Sequence, residues 1–354
     1  MAAFVTGGCG FIGYHLVKAL VQSKEYTSIH VISRDPSKNL VDGAVYHKGD
    51  FCSKATIQKL FERIGRVAVI FHVASPASTG NTRSLQSFLR PNVDGTMNLL
   101  ECARAHGVEA FVFSSSVVVY QADKNNNLVN ASETSPLITL DGPTDSYSKS
   151  KAEADRRVLA ANGLGNLKTV SIRISSSYGE RDMQQLGGIL DNKTKWRSQI
   201  GDNKNIWDRV SAENACTLHV LAARAVLQNK LGIAGEAFNV TDDQPTPFWT
   251  FVRLVWKLAG VDVREEEVKT VPAAPMIIMA AILEWIYWIF TFGQRTPEQF
   301  RRRLFEYMSC NRTFSIEKAK ERLGYVPVDN RIEGIRAGVE WYEKQHAGKT
   351  RKEK

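Results

Sequence analysis

Ala2-Ala3-Phe4-Val5-Thr6-Gly7-Gly8-Cys9-Gly10-Phe11-Ile12-Gly13 decides the fold. Four apolar residues and a threonine form a short strand. Glycines at positions 7, 10 and 13 follow, and Tyr14 to Gln22 then carries the apolar spacing of an amphipathic helix. A strand, a glycine-rich turn and a helix are the context in which such glycines bind a dinucleotide. They permit the tight turn, let backbone N–H groups reach a pyrophosphate, and pack the helix against the sheet. The cofactor-binding set therefore starts with Gly7, Gly10, Phe11, Ile12 and Gly13.

Working outward, strand-like and helical runs alternate. Ile29 to Ile32, Val67 to Val73, Ala110 to Phe113 and Thr169 to Arg173 read as strands, and Asn92 to His106 reads as a helix with one apolar face. This alternation predicts an α/β fold, a Rossmann-type doubly wound parallel sheet, joined to a smaller, mainly helical substrate-binding domain. The expected division is 1–178 for the cofactor domain, with a return near 208–242. The substrate domain takes 179–348 and a basic tail 349–354. The residue ending the second strand reads the adenosine ribose. An acid there favours a free 2′-hydroxyl, and a small residue followed by arginine accommodates a 2′-phosphate. Ser33-Arg34 occupies that place, with Asp35 one position late, so the cofactor is NAD(P), leaning to NADP. Asp50 ends a third strand, where it either accepts from the adenine amino group or caps the helix starting near Ser53. Phe51 beside it and Ala74 after the strand at Val67 to Val73 complete the set.

The chemistry is carried by Tyr147-Ser148-Lys149-Ser150-Lys151. Tyr147 and Lys151 lie four residues apart and share a helix face. An ammonium near a phenol favours the phenolate, which makes Tyr147 a general acid/base for a hydroxyl or carbonyl. Ser114-Ser115-Ser116 follows Phe113 at the carboxyl end of a parallel strand, the edge at which open α/β sheets bind ligands. A hydroxyl there can donate to an oxygen developing negative charge.

Taken in order, the glycine turn, Asn92-Val93-Asp94-Gly95-Thr96, Ser114-Ser115-Ser116 and Tyr147-x-x-x-Lys151 resemble the extended short-chain dehydrogenase/reductase superfamily over nearly the whole chain. The resemblance implies Ser116 as catalytic serine, Tyr147 as acid/base, and Lys151 as the residue that lowers the tyrosine pKa and holds the nicotinamide ribose. One departure is Arg173-Ile174-Ser175-Ser176-Ser177-Tyr178-Gly179, where many members have Arg-Pro before the Tyr-Gly pair. Gly201-Asp202-Asn203-Lys204-Asn205, Ala237-Phe238-Asn239-Val240-Thr241, Phe248-Trp249, Glu284-Trp285-Ile286-Tyr287-Trp288 and Ala319-Lys320-Glu321-Arg322-Leu323-Gly324-Tyr325 resemble the 3β-hydroxysteroid dehydrogenase branch. Within it the decarboxylating sterol-4α-carboxylate 3-dehydrogenases are most similar. The implied activity is oxidation of a 3β-hydroxyl on a sterol- or triterpenoid-like substrate, with decarboxylation where a 4-carboxylate is adjacent.

At 354 residues, with 43% hydrophobic and 23% charged residues, the chain is an ordered globular protein with ample core. An apolar, glycine-rich segment at Met1 with no basic region before it reads as the first structural element, not a leader. The five cysteines are dispersed without metal-ligand spacing, so no metal site is expected and a reducing compartment is. The formal net charge is +9, and residues 294–354 hold 15 Lys+Arg against 9 Asp+Glu. No nucleic-acid motif accompanies this charge. All seven tryptophans lie between Trp196 and Trp341. Phe248-Trp249 and Trp256 share a helix whose aromatic face is either core or the wall for a bulky apolar ligand.

Met276 to Phe292 carries one charge, Glu284, and falls just short of a span. Trp285, Tyr287 and Trp288 suit a membrane interface, and Arg301-Arg302-Arg303 suits anionic headgroups. The expectation is a monotopic helix on the cytoplasmic face of the endoplasmic reticulum, with a cytoplasmic enzyme as the alternative; a homodimer is left open. Arg351-Lys352-Glu353-Lys354 is either a weak dibasic retrieval signal or a solvated terminus. Rival readings are an NADPH-dependent ketone reductase, a dehydrogenase that also isomerises a double bond, a nucleotide-sugar epimerase, and a non-catalytic cofactor sensor.

Overall fold

Strand β1 (Ala2–Thr6) is buried along its whole length, as is β4 (Val67–His72). Strands with both faces covered become continuous apolar runs, as the sequence of each shows. They sit side by side at the centre of a seven-stranded parallel sheet in this computed structural model, which describes residues 1–77, 84–292 and 302–350. On one side of β1 lie β2 (Ser28–Ser33) and then β3 (Val45–Lys48). On the other side of β4 come β5 (Ala110–Ser116), Lys168–Ile174 and Glu236–Val240. Strand order therefore reverses between β1 and β4, and the crevice above that reversal is the ligand position of a doubly wound sheet.

Both faces are covered. Helix α1 (Phe11–Ser23) and the helix Ala212–Leu227 bury Leu16, Val17, Leu20, Leu218 and Ala222 against Val5, Val31 and Phe238. On the opposite face α2 (Lys54–Ile64), α4 (Gly95–Ala105) and α5 (Ser146–Ala160) cover Phe4, Ile70, Phe111 and Phe113. Each such aliphatic or aromatic side chain contributes roughly 1.5–3 kcal/mol when removed from water. Between α3 (Leu85–Leu89) and α4, residues Arg90–Asp94 form a π-helical turn. Helical periodicity predicts an unbroken helix from Asn92, whereas the chain inserts this turn there. π-turns recur at functional sites, and this one carries Asn92.

A buried ion pair fixes α5 to the sheet. Asp155 accepts from Arg173 at 2.7 Å with both side chains almost fully enclosed, and it accepts from Ser171 as well. Arg173 also donates to the Tyr120 hydroxyl at 3.0 Å, which donates to Asn239 at 2.6 Å. Asp155 lies one turn beyond Lys151, so the pair sets the rotation of the helix that carries Tyr147 and Lys151.

The second half is built from Gln185–Asp191, Phe248–Leu258, Ala273–Phe290, Arg302–Ser309 and Arg331–Thr350, all helices, with small two- and four-stranded sheets beside them. Trp196, Trp249 and Trp256 are buried together, and the two helical indoles donate to the carbonyls of Ile200 and Ile189, each at 2.8 Å. The aromatic face of Phe248–Leu258 is thus packed core with its N–H groups satisfied.

The helix Ala273–Phe290 differs. Of its 18 residues only Ala280 is buried, and Trp285, Trp288 and Phe290 are 68%, 60% and 79% exposed. Among the described residues it is the one helix long and apolar enough to cross a membrane. Arg301 and the tail Arg351–Lys354 lie outside the described residues.

Candidate active site

The glycine turn admits no side chains where the backbone doubles back. Gly7 has φ +73°, and a Cβ there would stand 2.6 Å from the Ala74 nitrogen. At Gly13 a Cβ would stand 2.0 Å from the Gly7 oxygen. The Gly10 N–H donates to that same oxygen at 2.9 Å, and Gly10 caps α1 with no side-chain acceptor and no acid in the first turn. The N–H groups of Phe11 and Ile12 are thereby left to an anion, the condition a pyrophosphate requires. The residues present fit a dinucleotide. Ala74 is held beside Gly7 by its N–H, which donates to the Thr6 hydroxyl at 3.2 Å.

At the ribose end, Ser33 closes β2 and its hydroxyl accepts from the Asp35 N–H at 3.2 Å. Arg34 is exposed. The Asp35 carboxyl is held below its ordinary value, mainly by the Ser37 hydroxyl. Asp50 accepts from the Cys52 N–H at 3.0 Å, whereas the cap of α2 is Ser53, accepting from Thr56 at 3.3 Å. The helix-capping role weighed for Asp50 therefore belongs to Ser53. The ring of Phe51 meets His72 at 5.2 Å.

The three catalytic candidates come from two elements at the carboxyl edge of the sheet. Ser116 ends β5, pairs with Ile174, and accepts from the Val118 N–H at 3.3 Å. Lys151 is buried, with its ammonium 4.4 Å from the centre of the Phe113 ring, and donates to the Ser114 carbonyl at 2.6 Å. Burial pushes it down to about 8, against the opposing charge of Asp155. Tyr147 begins the same helix behind its cap Asp145, which accepts from Ser148 at 2.9 Å. Burial pushes the phenol up to about 12, and the Ser75 hydroxyl acts in the opposite direction. This differs from the expectation that Lys151 lowers the tyrosine. The ammonium is engaged by a backbone carbonyl, and it is Ser75 that favours the phenolate.

Ser75 and Asn92 are functional candidates that pattern reading left out. Ser75 donates to Asn92 at 3.1 Å, Asn92 donates to Ser150 at 2.9 Å, and Ser150 donates to the Tyr147 carbonyl at 2.7 Å. The ring of bonds closes on Tyr147 from both its hydroxyl and its backbone. The sequence signal was present in Asn92-Val93-Asp94-Gly95-Thr96, but the π-turn that aims Asn92 inward has no periodicity to reveal it. Beneath them, His72 lies between the Thr6 and Thr96 hydroxyls at 2.6 and 2.8 Å and is pushed down to about 3 by burial, so it stays neutral. On the substrate side, Arg303 pairs with Asp145. Tyr307, one turn further on the same helix, stands edge-on to Trp207 at 4.5 Å between ring centres.

In the departure region, Ile174 completes its strand by pairing with both Ser116 and Val240. The buried Tyr178 donates to Asp242 at 2.7 Å. Gly179, with φ +151°, has its Cβ direction 3.6 Å from the Phe11 ring. The chain thus returns to the glycine turn despite lacking the proline.

Comparison with known proteins agrees with this geometry. The profile of the 3-beta hydroxysteroid dehydrogenase/isomerase family matches residues 4–270. The decarboxylating sterol-4-alpha-carboxylate 3-dehydrogenase of Schizosaccharomyces pombe is 31% identical, over 96% of this chain and 97% of its own. The 3beta-hydroxysteroid-dehydrogenase/decarboxylase isoform 1 of Arabidopsis thaliana is 33% identical, over 95% and 78%. Among solved structures, the dTDP-glucose 4,6-dehydratase of Bacillus anthracis in complex with NAD shares the fold. It has a TM-score of 0.68 and 22% identity, covering 98% of this chain and 98% of its own length. With a family profile that matches three quarters of its length and with relatives aligned over nearly all of it, the chain belongs to the 3-beta hydroxysteroid dehydrogenase/isomerase family.

Proposed function

We propose that the protein oxidises the 3β-hydroxyl of a sterol or triterpenoid bearing a carboxylate on the neighbouring carbon, and that this carboxylate leaves as CO₂. The observation that supports the reading is the placement of Ser116 at the end of β5 and of Tyr147 and Lys151 on α5, joined to that strand by the Lys151 bond to the Ser114 carbonyl, in a chain aligned over 96% of its length with a decarboxylating sterol dehydrogenase.

Gly7, Gly10, Phe11, Ile12, Gly13 and Ala74 would hold the dinucleotide phosphates, with Asp50 and Phe51 toward the adenine. Bound there, the nicotinamide supplies a two-electron acceptor for the hydride lost by the alcohol carbon. Tyr147, as phenolate, takes the hydroxyl proton, so alcohol becomes ketone with proton and hydride both accounted for. Ser116 donates to the same oxygen. The Ser75 hydroxyl favours the phenolate, and Lys151 would hold the nicotinamide ribose hydroxyls. The product is a β-keto acid. Its C–C bond to the carboxyl breaks with the electron pair passing to an enolate, which Ser116 and protonated Tyr147 stabilise and which then takes a proton at carbon. No additional residue is required.

Ser33 and Arg34 support NADP over NAD, since a neutral hydroxyl and a guanidinium tolerate a 2′-phosphate. The exposed face of Ala273–Phe290, with Trp285 and Trp288 outward and Arg302 and Arg303 following, supports a helix lying in a membrane surface, on the cytoplasmic side of the endoplasmic reticulum. A water-insoluble substrate would reach the site from that surface. Reduction of NAD⁺ and NADP⁺ against a panel of 3β-hydroxysterols, with and without a 4-carboxylate, tests the reading. It predicts turnover with the 3β-hydroxyl series only, and failure of every member would sink it.

A further inference from the structure

The loop after Tyr178 crosses to the cofactor half and lays a second arginine beside the ribose end of the cradle. The Glu180 carbonyl meets His15 of α1 at 2.9 Å, and Gly179 faces Phe11. Arg181 is the only arginine among the described residues with a left-handed backbone, φ +74°. Its guanidinium stacks 3.8 Å over the Tyr14 ring and donates to Asn39 at 2.6 Å. Asn39 in turn donates to the carbonyl of Cys9 at 2.9 Å, inside the glycine turn. The Cys9 thiol faces the Ser33 hydroxyl. One chain of contacts thus runs from the residue that reads the ribose to a cation 142 positions away from its Asn39 partner. Among the described residues Glu180, at 3.3 Å, is the acid paired with that charge, and the enclosed Arg181 Nε–H meets no acceptor.

We propose that Arg181 binds the adenosine 2′-phosphate of NADP, as a second cation beside Arg34. The inference rests on the NADP reading given above. A non-glycine residue held at positive φ, in a loop tied down at Glu180, is backbone strain spent on placement. A planar guanidinium backed by an aromatic ring is held in a fixed orientation, and its two terminal nitrogens, now on Asn39 and Glu180, are the groups that would turn to phosphate oxygens. The pyrophosphate belongs to the N-terminus of α1. Arg181 stacks on Tyr14 in the first turn of that helix and is bonded to Asn39 in the loop that leaves β2, toward which a ribose substituent would point. A 2′-phosphate takes the place that Asn39 and Glu180 hold as partners.

The test is equilibrium binding, by calorimetry, of NADP⁺ and NAD⁺ to the full-length protein and to Arg181→Met and Arg181→Gln. The expected result is an NADP⁺ Kd raised roughly tenfold or more in both variants, the loss of one charge-assisted phosphate contact. The NAD⁺ Kd stays within about threefold, which also shows that the variants are folded. Unchanged NADP⁺ affinity overturns the proposal. A parallel loss of both cofactors also overturns it, because Arg181 would then be a strap holding the glycine turn. The wild-type ratio of the two constants tests the NADP reading separately: a wild type that favours NAD⁺ refutes that reading while the variants still report on Arg181. A wild type that binds no NADP⁺ overturns both.

Discussion

As the proposed acid/base, Tyr147 would meet the reacting oxygen, and its neighbours define how it must behave. Ser75 bonds its hydroxyl and is itself held by Asn92, Asp145 caps its helix, and Lys151 donates to the Ser114 carbonyl. Substituting Tyr147→Phe removes the proton acceptor and keeps the ring. Turnover is expected to fall by roughly 10²–10⁴-fold, with the cofactor Kd unchanged by calorimetry. Lys151 carries a separate signature in stability. Burial lowers it from 10.5 to about 8, so between those values the unfolded chain holds a proton that the folded chain has lost. Stability therefore rises with pH across that window. Urea denaturation of wild type and Lys151→Met at pH 7.5 to 10.5 should show this rise in the wild type, and its loss in the variant.

At the scale of elements, α5 is held by Asp155 and Arg173. Asp155→Ala strands a buried guanidinium and is expected to cost about 3–5 kcal/mol in chemical denaturation. The helix Ala273–Phe290 is the opposite case, apolar and uncovered. Trp285→Glu with Trp288→Glu should reduce sedimentation with anionic liposomes by roughly tenfold or more while leaving the melting temperature in place.

Elements also show what a sequence discloses. The strand, glycine turn and helix at Ala2 to Ser23 are local, and steric exclusion at Gly7 and Gly13 makes them readable without neighbours. Tyr147 and Lys151 are legible for the same reason, since helix geometry alone brings them together. Ser75, Asn92 and Ser150 were not, because their ring closes over contacts between residues far apart in the chain and through a π-turn. The indoles of Trp249 and Trp256 were legible as a face that is either core or ligand wall, and the distant carbonyls of Ile200 and Ile189 that decide for core were not. Asp50 lost its capping role to Ser53, three residues on, whose hydroxyl accepts from the Thr56 N–H.

On the scale of the whole molecule, the parallel sheet brings the glycine turn after β1 and Ser116 at the end of β5 to one edge, and the second half carries an apolar helix, Ala273–Phe290, and the helix Arg302–Ser309. The family relationship supplies the redox chemistry, and the central claim is that oxidation is coupled to loss of carbon dioxide. The most direct measurement is the ratio of CO₂ released to cofactor reduced, with a 3β-hydroxysterol labelled in its 4-carboxyl group as substrate and wild-type protein under single-turnover conditions. The account predicts a ratio of about one, since each β-keto acid formed loses its carboxyl through an enolate stabilised by the same hydroxyls. Cofactor reduction with no labelled CO₂, and a stable 3-keto-4-carboxylate as product, would contradict it.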